Sequence, residues 1–201
     1  MSTLITTTAQ IGTIKDAGGN NTAMTIDNTG HVAMPNTKKG IFQVYSNSSQ
    51  SLNSNVTTLV QLDQKVFDTN SYFNTSTYRY TPQVAGYYVI EAQIMWEADP
   101  GDNIYMSAQI FKNGVPNHST GASPYISGNG TAKPNAINSI VMGSANEAYT
   151  RVGTLVYFNG SSDYVDLRGY IYNYTDASAS DNLIKGNANN LITWMYGYKI
   201  D

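Results

Sequence analysis

Two histidines, three glutamates and no cysteine give this 201-residue chain few groups for catalysis. Without Cys there is no thiolate nucleophile, no thiolate metal site and no disulfide, a composition that suits a reducing compartment. His31 and His118 fall in separate, polar, loop-like stretches, where a solvent-facing imidazole is the ordinary outcome. No Gly-x-Ser-x-Gly elbow occurs, so a hydrolase triad of that type has no anchor. Gly128-Asn129-Gly130-Thr131-Ala132-Lys133 is as glycine-rich as a phosphate loop, but it lacks the Gly-Lys-Ser/Thr ending and the helix that must follow. Glycoside hydrolysis needs two carboxylates across a cleft, about 5 to 9.5 Å apart. Glu91, Glu97 and Glu147 make no such pattern. No catalytic residue is expected, and no enzyme.

One stretch offers metal chemistry. Glu97-Ala98-Asp99-Pro100-Gly101-Asp102-Asn103 gathers hard oxygen ligands of the kind that hold Ca2+, with Asp99 and Asp102 the candidate ligands. The spacing is not that of an EF-hand, and the same residue types build solvated turns, which is the plainer reading. No other cofactor is expected. A second stretch offers recognition. Tyr164, Asp166, Arg168, Tyr170 and Tyr172 alternate along one strand face. Tyr is flat and amphipathic and loses little entropy when fixed, so such a row suits subunit contact or sugar stacking. Tyr164, Arg168, Tyr170 and Tyr172 are therefore the expected subunit interface, weighed against an ordinary half-buried strand face.

The elements that must hold these residues are β-strands. Charged residues are only 12% of the chain, and its polarity comes from 22 Asn with abundant Ser, Thr and Gly beside 16 Tyr. Such residues favour strands and turns over helices. The net charge of -3 and the scattered Lys and Arg exclude a nucleic-acid footprint. The N-terminal stretch has no basic segment followed by an apolar run, and no window approaches 18 apolar residues, so neither a secretory signal nor a membrane span is expected.

Residues 1–40 differ in texture from the rest. Thr13-Ile14-Lys15-Asp16-Ala17-Gly18 recurs twelve residues later as Thr25-Ile26-Asp27-Asn28-Thr29-Gly30. Each copy reads as a short strand running into a Gly turn, with one small apolar face that cannot fold alone. From Ile41 onward strands alternate clearly. Tyr88, Ile90, Ala92, Ile94 and Trp96 share one face, opposite Tyr87, Val89, Glu91, Gln93 and Met95. Ile104, Met106, Ala108 and Ile110 form the next apolar row, ending at the Asn113-Gly114 turn. Val152, Thr154, Val156 and Phe158 alternate again, then Val165, Leu167, Gly169 and Ile171, and a last strand is expected over 191–200. Many strands without a convincing helix predict a sandwich or jelly roll.

Phe67-Asp68, followed by Tyr78-Arg79-Tyr80-Thr81-Pro82-Gln83-Val84-Ala85-Gly86-Tyr87-Tyr88-Val89, resembles the C1q-like domain signature. Lys112-Asn113-Gly114 and the closing Trp194-Met195-Tyr196-Gly197-Tyr198 fit the same pattern. Asp163-Tyr164-Val165-Asp166-Leu167 is similar to the family's later Gly-Asp-x-Val segment, with Ser162 where its Gly would stand. The resemblance spans residues 41–201 and implies a C1q/TNF-like jelly-roll head that forms a homotrimer. The first 40 residues lack the Gly-X-Y collagen stalk usual in animal members. Met24-Thr25-Ile26-Asp27-Asn28-Thr29-Gly30-His31-Val32-Ala33-Met34-Pro35 is instead similar to N-terminal segments of structural proteins from tailed phages.

The sequence thus predicts an all-β chain of two parts: residues 1–40, an extended attachment arm with short β repeats, and residues 41–201, the trimeric head. The expected role is a virion surface protein, a capsid decoration or cement or a short fibre, with Ile14, Ile26 and Val32 at the contact with capsid or tail proteins. The runner-up is a receptor-binding tip that recognises a host glycan or surface protein through loops 117–135 or 174–190, and a third reading is a secreted C1q-like lectin.

Overall fold

A computed structural model describes residues 13–15, 22–33, 40–98, 104–116, 137–142, 147–174 and 182–200. Asp99, Asp102, His118, the whole of the 117–135 loop with its Gly128–Lys133 segment, and residues 175–181 of the 174–190 loop lie outside the described residues. The chain divides into two compact units, Met1–Lys38 and Lys39–Asp201.

In the first unit, β1 (Thr13–Lys15), β2 (Thr22–Ile26) and β3 (Val32–Ala33) form an antiparallel meander. The β2–β3 turn is built by Asp27, whose Oδ1 accepts hydrogen bonds from the Thr29 amide (2.9 Å), the Thr29 hydroxyl (2.7 Å) and the His31 amide (2.9 Å). Gly30, at φ 85°, supplies the left-handed residue that closes it.

The second unit is a two-sheet sandwich. Its strands in chain order are β4 (Phe42–Tyr45), β5 (Gln50–Ser51), β6 (Val56–Leu59), β7 (Gln64–Asp68), β8 (Phe73–Asn74), β9 (Arg79–Tyr80) and β10 (Ala85–Glu97). There follow β11 (Ile104–Lys112), β12 (Val115–Pro116), β13 (Ile137–Met142), β14 (Glu147–Asn159), β15 (Val165–Asn173), β16 (Leu183–Ile184) and β17 (Trp194–Lys199). One sheet is centred on β10, with β14 along one edge and β17, β4 and β7 on the other side. The second is centred on β15, flanked by β11 with β13 and by β6 and β9.

The inward rows are those that the alternation predicts: Tyr88, Ile90, Ala92, Ile94 and Trp96 from β10, Val152, Val156 and Phe158 from β14, and Val165, Leu167 and Ile171 from β15 are buried together. Each fully buried large side chain contributes roughly 1.5–3 kcal/mol. Two polar handles inside this core are satisfied. Trp96 Nε1 donates to Thr150 Oγ1 at 2.8 Å, and the Tyr80 hydroxyl donates to the Gly40 carbonyl at 2.9 Å. Close sheet contact requires small residues at two inward sites. A Cβ on Gly169 would stand 2.8 Å from Trp96 and Ile184, and one on Gly197 2.5 Å from Ile90.

The motif residues have local tasks. Asp68 accepts the amides of Tyr72 (3.1 Å) and Phe73 (2.9 Å) and the Lys65 ammonium, which pins the turn after β7. Gly86 opens β10 at φ 144°, a conformation that side chains resist. The last strand starts at Trp194 rather than residue 191, because the Thr193 hydroxyl accepts the Met95 amide and displaces the backbone ladder there.

Candidate interaction surfaces

The outward row of β15, expected to contact another subunit, is largely engaged within the chain. Asp166 is fully buried. Arg168 Nε donates to its Oδ1 at 2.9 Å, and Arg79 Nε lies 3.7 Å from its Oδ2. Each guanidinium rests on a ring: Arg79 sits 4.1 Å from the Tyr164 centroid and Arg168 4.3 Å from that of Phe111. Tyr170 is buried, and its hydroxyl donates to Asn55 Oδ1 at 2.9 Å. On the adjacent β11, Ser107 and Gln109 are buried too, and Gln109 Nε2 donates to Ser107 Oγ at 2.8 Å. Of the four residues expected at the interface, the structure joins Tyr164 and Arg168 around Asp166 and buries Tyr170. It leaves Tyr172 exposed against Tyr174, with ring centroids 4.5 Å apart.

The outer face of the β10 sheet is different. Tyr87, Tyr149, Leu155 and Tyr157 are each between 49% and 53% exposed, and Tyr198 is close behind. The register sets Tyr87 beside Tyr157, Val89 between Leu155 and Tyr198, and Met95 beside Tyr149. The Tyr87 and Tyr157 rings meet edge to face at 5.3 Å. Trp194 and Tyr196 stack at 5.3 Å, and the Arg151 guanidinium lies 5.2 Å from the Trp194 centroid. Tyr196 titrates high, pushed up to about 12 by partial burial and then by its hydrogen bond to Glu91. Sequence reasoning took only the inward row of β14 and passed over Tyr149, Arg151, Leu155 and Tyr157. The signal was present: large apolar side chains at the alternate positions, where a solvated strand carries polar ones.

In the N-terminal unit Ile14 pairs with Met24 and Ile26 with Val32, so the three residues expected at the particle contact share one face of the meander and are exposed. Glu97 and Glu147 are direct cross-strand partners, and Lys185 forms an ion pair with Glu97. They lie side by side on one sheet, not across a cleft. Among the described residues no three His, Cys, Asp or Glu side chains gather as a metal site. His31 Nδ1 is 2.7 Å from Thr29 Oγ1, part of the turn at Asp27.

No protein-family model matches the sequence. No curated protein matches it either. The folded chain is similar to solved structures. The globular domain of the zebrafish complement 1qA protein aligns over 81% of this chain and 98% of its own, with 14% identity and a TM-score of 0.50. Eiger TNF from S. frugiperda gives 8% identity and 0.52 over 81% and 93%. Murine APRIL gives 11% and 0.51 over 81% and 100%. Likeness at such low identity establishes the architecture alone: the chain carries a C1q/TNF-like all-β jelly roll.

Proposed function

We propose that this chain is a non-enzymatic structural protein of a virus surface, whose heads assemble as homotrimers and whose N-terminal unit fastens the trimer to capsid or tail proteins. The open aromatic face of the β10 sheet carries the reading. Exposed Tyr and Leu side chains in one patch, on a sandwich that already has a filled core, favour assembly over a solitary domain. A homotrimer accords with the C1q/TNF-like architecture. The attachment role is supported by the shared apolar face of Ile14, Ile26 and Val32, which three short strands cannot bury by themselves. The viral assignment is supported by the similarity of residues 24–35 to tailed-phage structural proteins.

A second reading, a tail-fibre tip that holds a host glycan, is favoured by the exposed Tyr172–Tyr174 pair, an aromatic corner of the kind that stacks sugars. A cryo-electron microscopy map of a particle carrying this chain separates the two. Trimeric density on the capsid lattice with the N-terminal unit between capsomers is the expected result. Density at a distal fibre tip, with binding on a glycan array that Tyr174→Ala abolishes, would favour the second reading.

A further inference from the structure

We infer that Glu91 and Arg151 fix the register between copies of the head, the carboxylate of one copy receiving the guanidinium of the next across the open face of the β10 sheet. The inference rests on the self-association proposed above and names the charges that direct it. Both residues project from the aromatic face, Glu91 on β10 opposite Gly153, and Arg151 on β14 opposite Gln93. Yet they do not pair with each other, and neither makes an ion pair among the described residues. Arg151 lies over Trp194, while Glu91 accepts the hydroxyl of Tyr196. The Trp194 and Tyr196 rings are stacked at an interplanar angle of 19°, so two flat side chains hold the opposite charges apart on a fixed shelf.

This arrangement constrains the occupant. Tyr87, Tyr149, Leu155, Tyr157 and Tyr198 around the pair reward burial. A wholly apolar partner would strip water from Glu91 and Arg151 and leave both charges uncompensated, which cancels that reward. The partner must therefore bring a cation and an anion at a matching spacing. A second copy presents that pair on the same surface, so one contact satisfies a charge from each side. Gly153 keeps the approach to Glu91 open: a Cβ there would stand 3.2 Å from Glu91 Cγ. A side chain at this place would fill the gap between Arg151 and Leu155 through which a neighbour's guanidinium enters.

The test is charge reversal in the full-length chain, read by sedimentation velocity, with circular dichroism to verify the fold. Glu91→Arg and Arg151→Glu are each expected to weaken assembly about a hundredfold, since like charges then meet across the contact. The chain carrying both changes is expected to recover to within about threefold of native, because the pair is restored in reverse. Native-strength assembly of either single variant, or a double variant no tighter than the singles, would overturn the pairing while leaving self-association standing. A native chain that sediments as a monomer would overturn self-association and the pairing with it.

Discussion

On the outer face of β15, Asp166 is clamped by Arg168 and Arg79, each guanidinium lying on an aromatic ring, and Tyr170 is tied to Asn55. On the outer face of β14, Tyr149, Leu155 and Tyr157 are about half exposed. Both strands bury alternate residues in one core, and both carry tyrosines on the other side. The difference lies in what the outward rows can do for themselves. Carboxylate and guanidinium groups pair inside one chain. A patch of Tyr and Leu has no such closure. A tyrosine-rich row is thus to be read together with its charged neighbours.

The comparison breaks most sharply on the open face. Changing Leu155 and Tyr157 together to Ser is expected to cost about 4 kcal/mol per contact between copies, roughly a thousandfold in affinity. Light scattering on a sizing column should then report a monomer with native thermal stability. The matching change of Tyr172 and Tyr174 to Ser, on the other sheet, should leave the assembled mass unaltered. Loss of assembly in the second pair and not the first would reverse the assignment of the two faces.

The closed face predicts a loss of stability instead of assembly. Asp166→Asn leaves Arg79 and Arg168 against a neutral amide in a buried setting, and about 3 kcal/mol of unfolding free energy should be lost in urea titration. A midpoint unchanged from native would mean that the ion triad adds nothing and that this face is closed by other contacts.

How far the sequence could carry these conclusions depended on the range of the contacts. Alternation along β10, β11, β14 and β15 named the inward rows correctly, since period-two burial is written within each strand. The jelly-roll resemblance followed from residues 67–89, whose local tasks, such as Asp68 accepting two turn amides, depend on short spacing. The fate of the outward rows depended on partners far along the chain. Asp166 is enclosed because Arg79 arrives from β9, and Tyr170 because Asn55 reaches it from before β6. Gly169 counted only as one more position of an apolar row, and it is the place where Trp96 and Ile184 fill the space a side chain would take. None of these juxtapositions leaves a periodic mark.

The smallest expected effects are titrations. Tyr196, held neutral by partial burial and by its bond to Glu91, should ionise near pH 12 in a tyrosinate absorbance titration of the monomeric Leu155 and Tyr157 variant. Its raised value means that the interaction is fully present below the ordinary tyrosine range and is lost as pH rises through about 12. Adding Glu91→Gln should bring that transition down. Asp163 should show the opposite sign. Burial pushes it up, but hydrogen bonds from Asn113, Lys112 and the Asn159 amide outweigh burial and hold it below the usual carboxylate value. The turn it ties together keeps this contribution above the usual value and loses it as pH falls through the lowered one. Carboxyl resonances followed by NMR check both the direction and the order.

The central claim, that the open face joins copies of the head, is tested most directly by native mass spectrometry of the intact chain. The account predicts a species of three times the 21.9 kDa of one chain, collapsing to a single chain on the Leu155 and Tyr157 change. A native chain found at 21.9 kDa over the whole concentration range would contradict it.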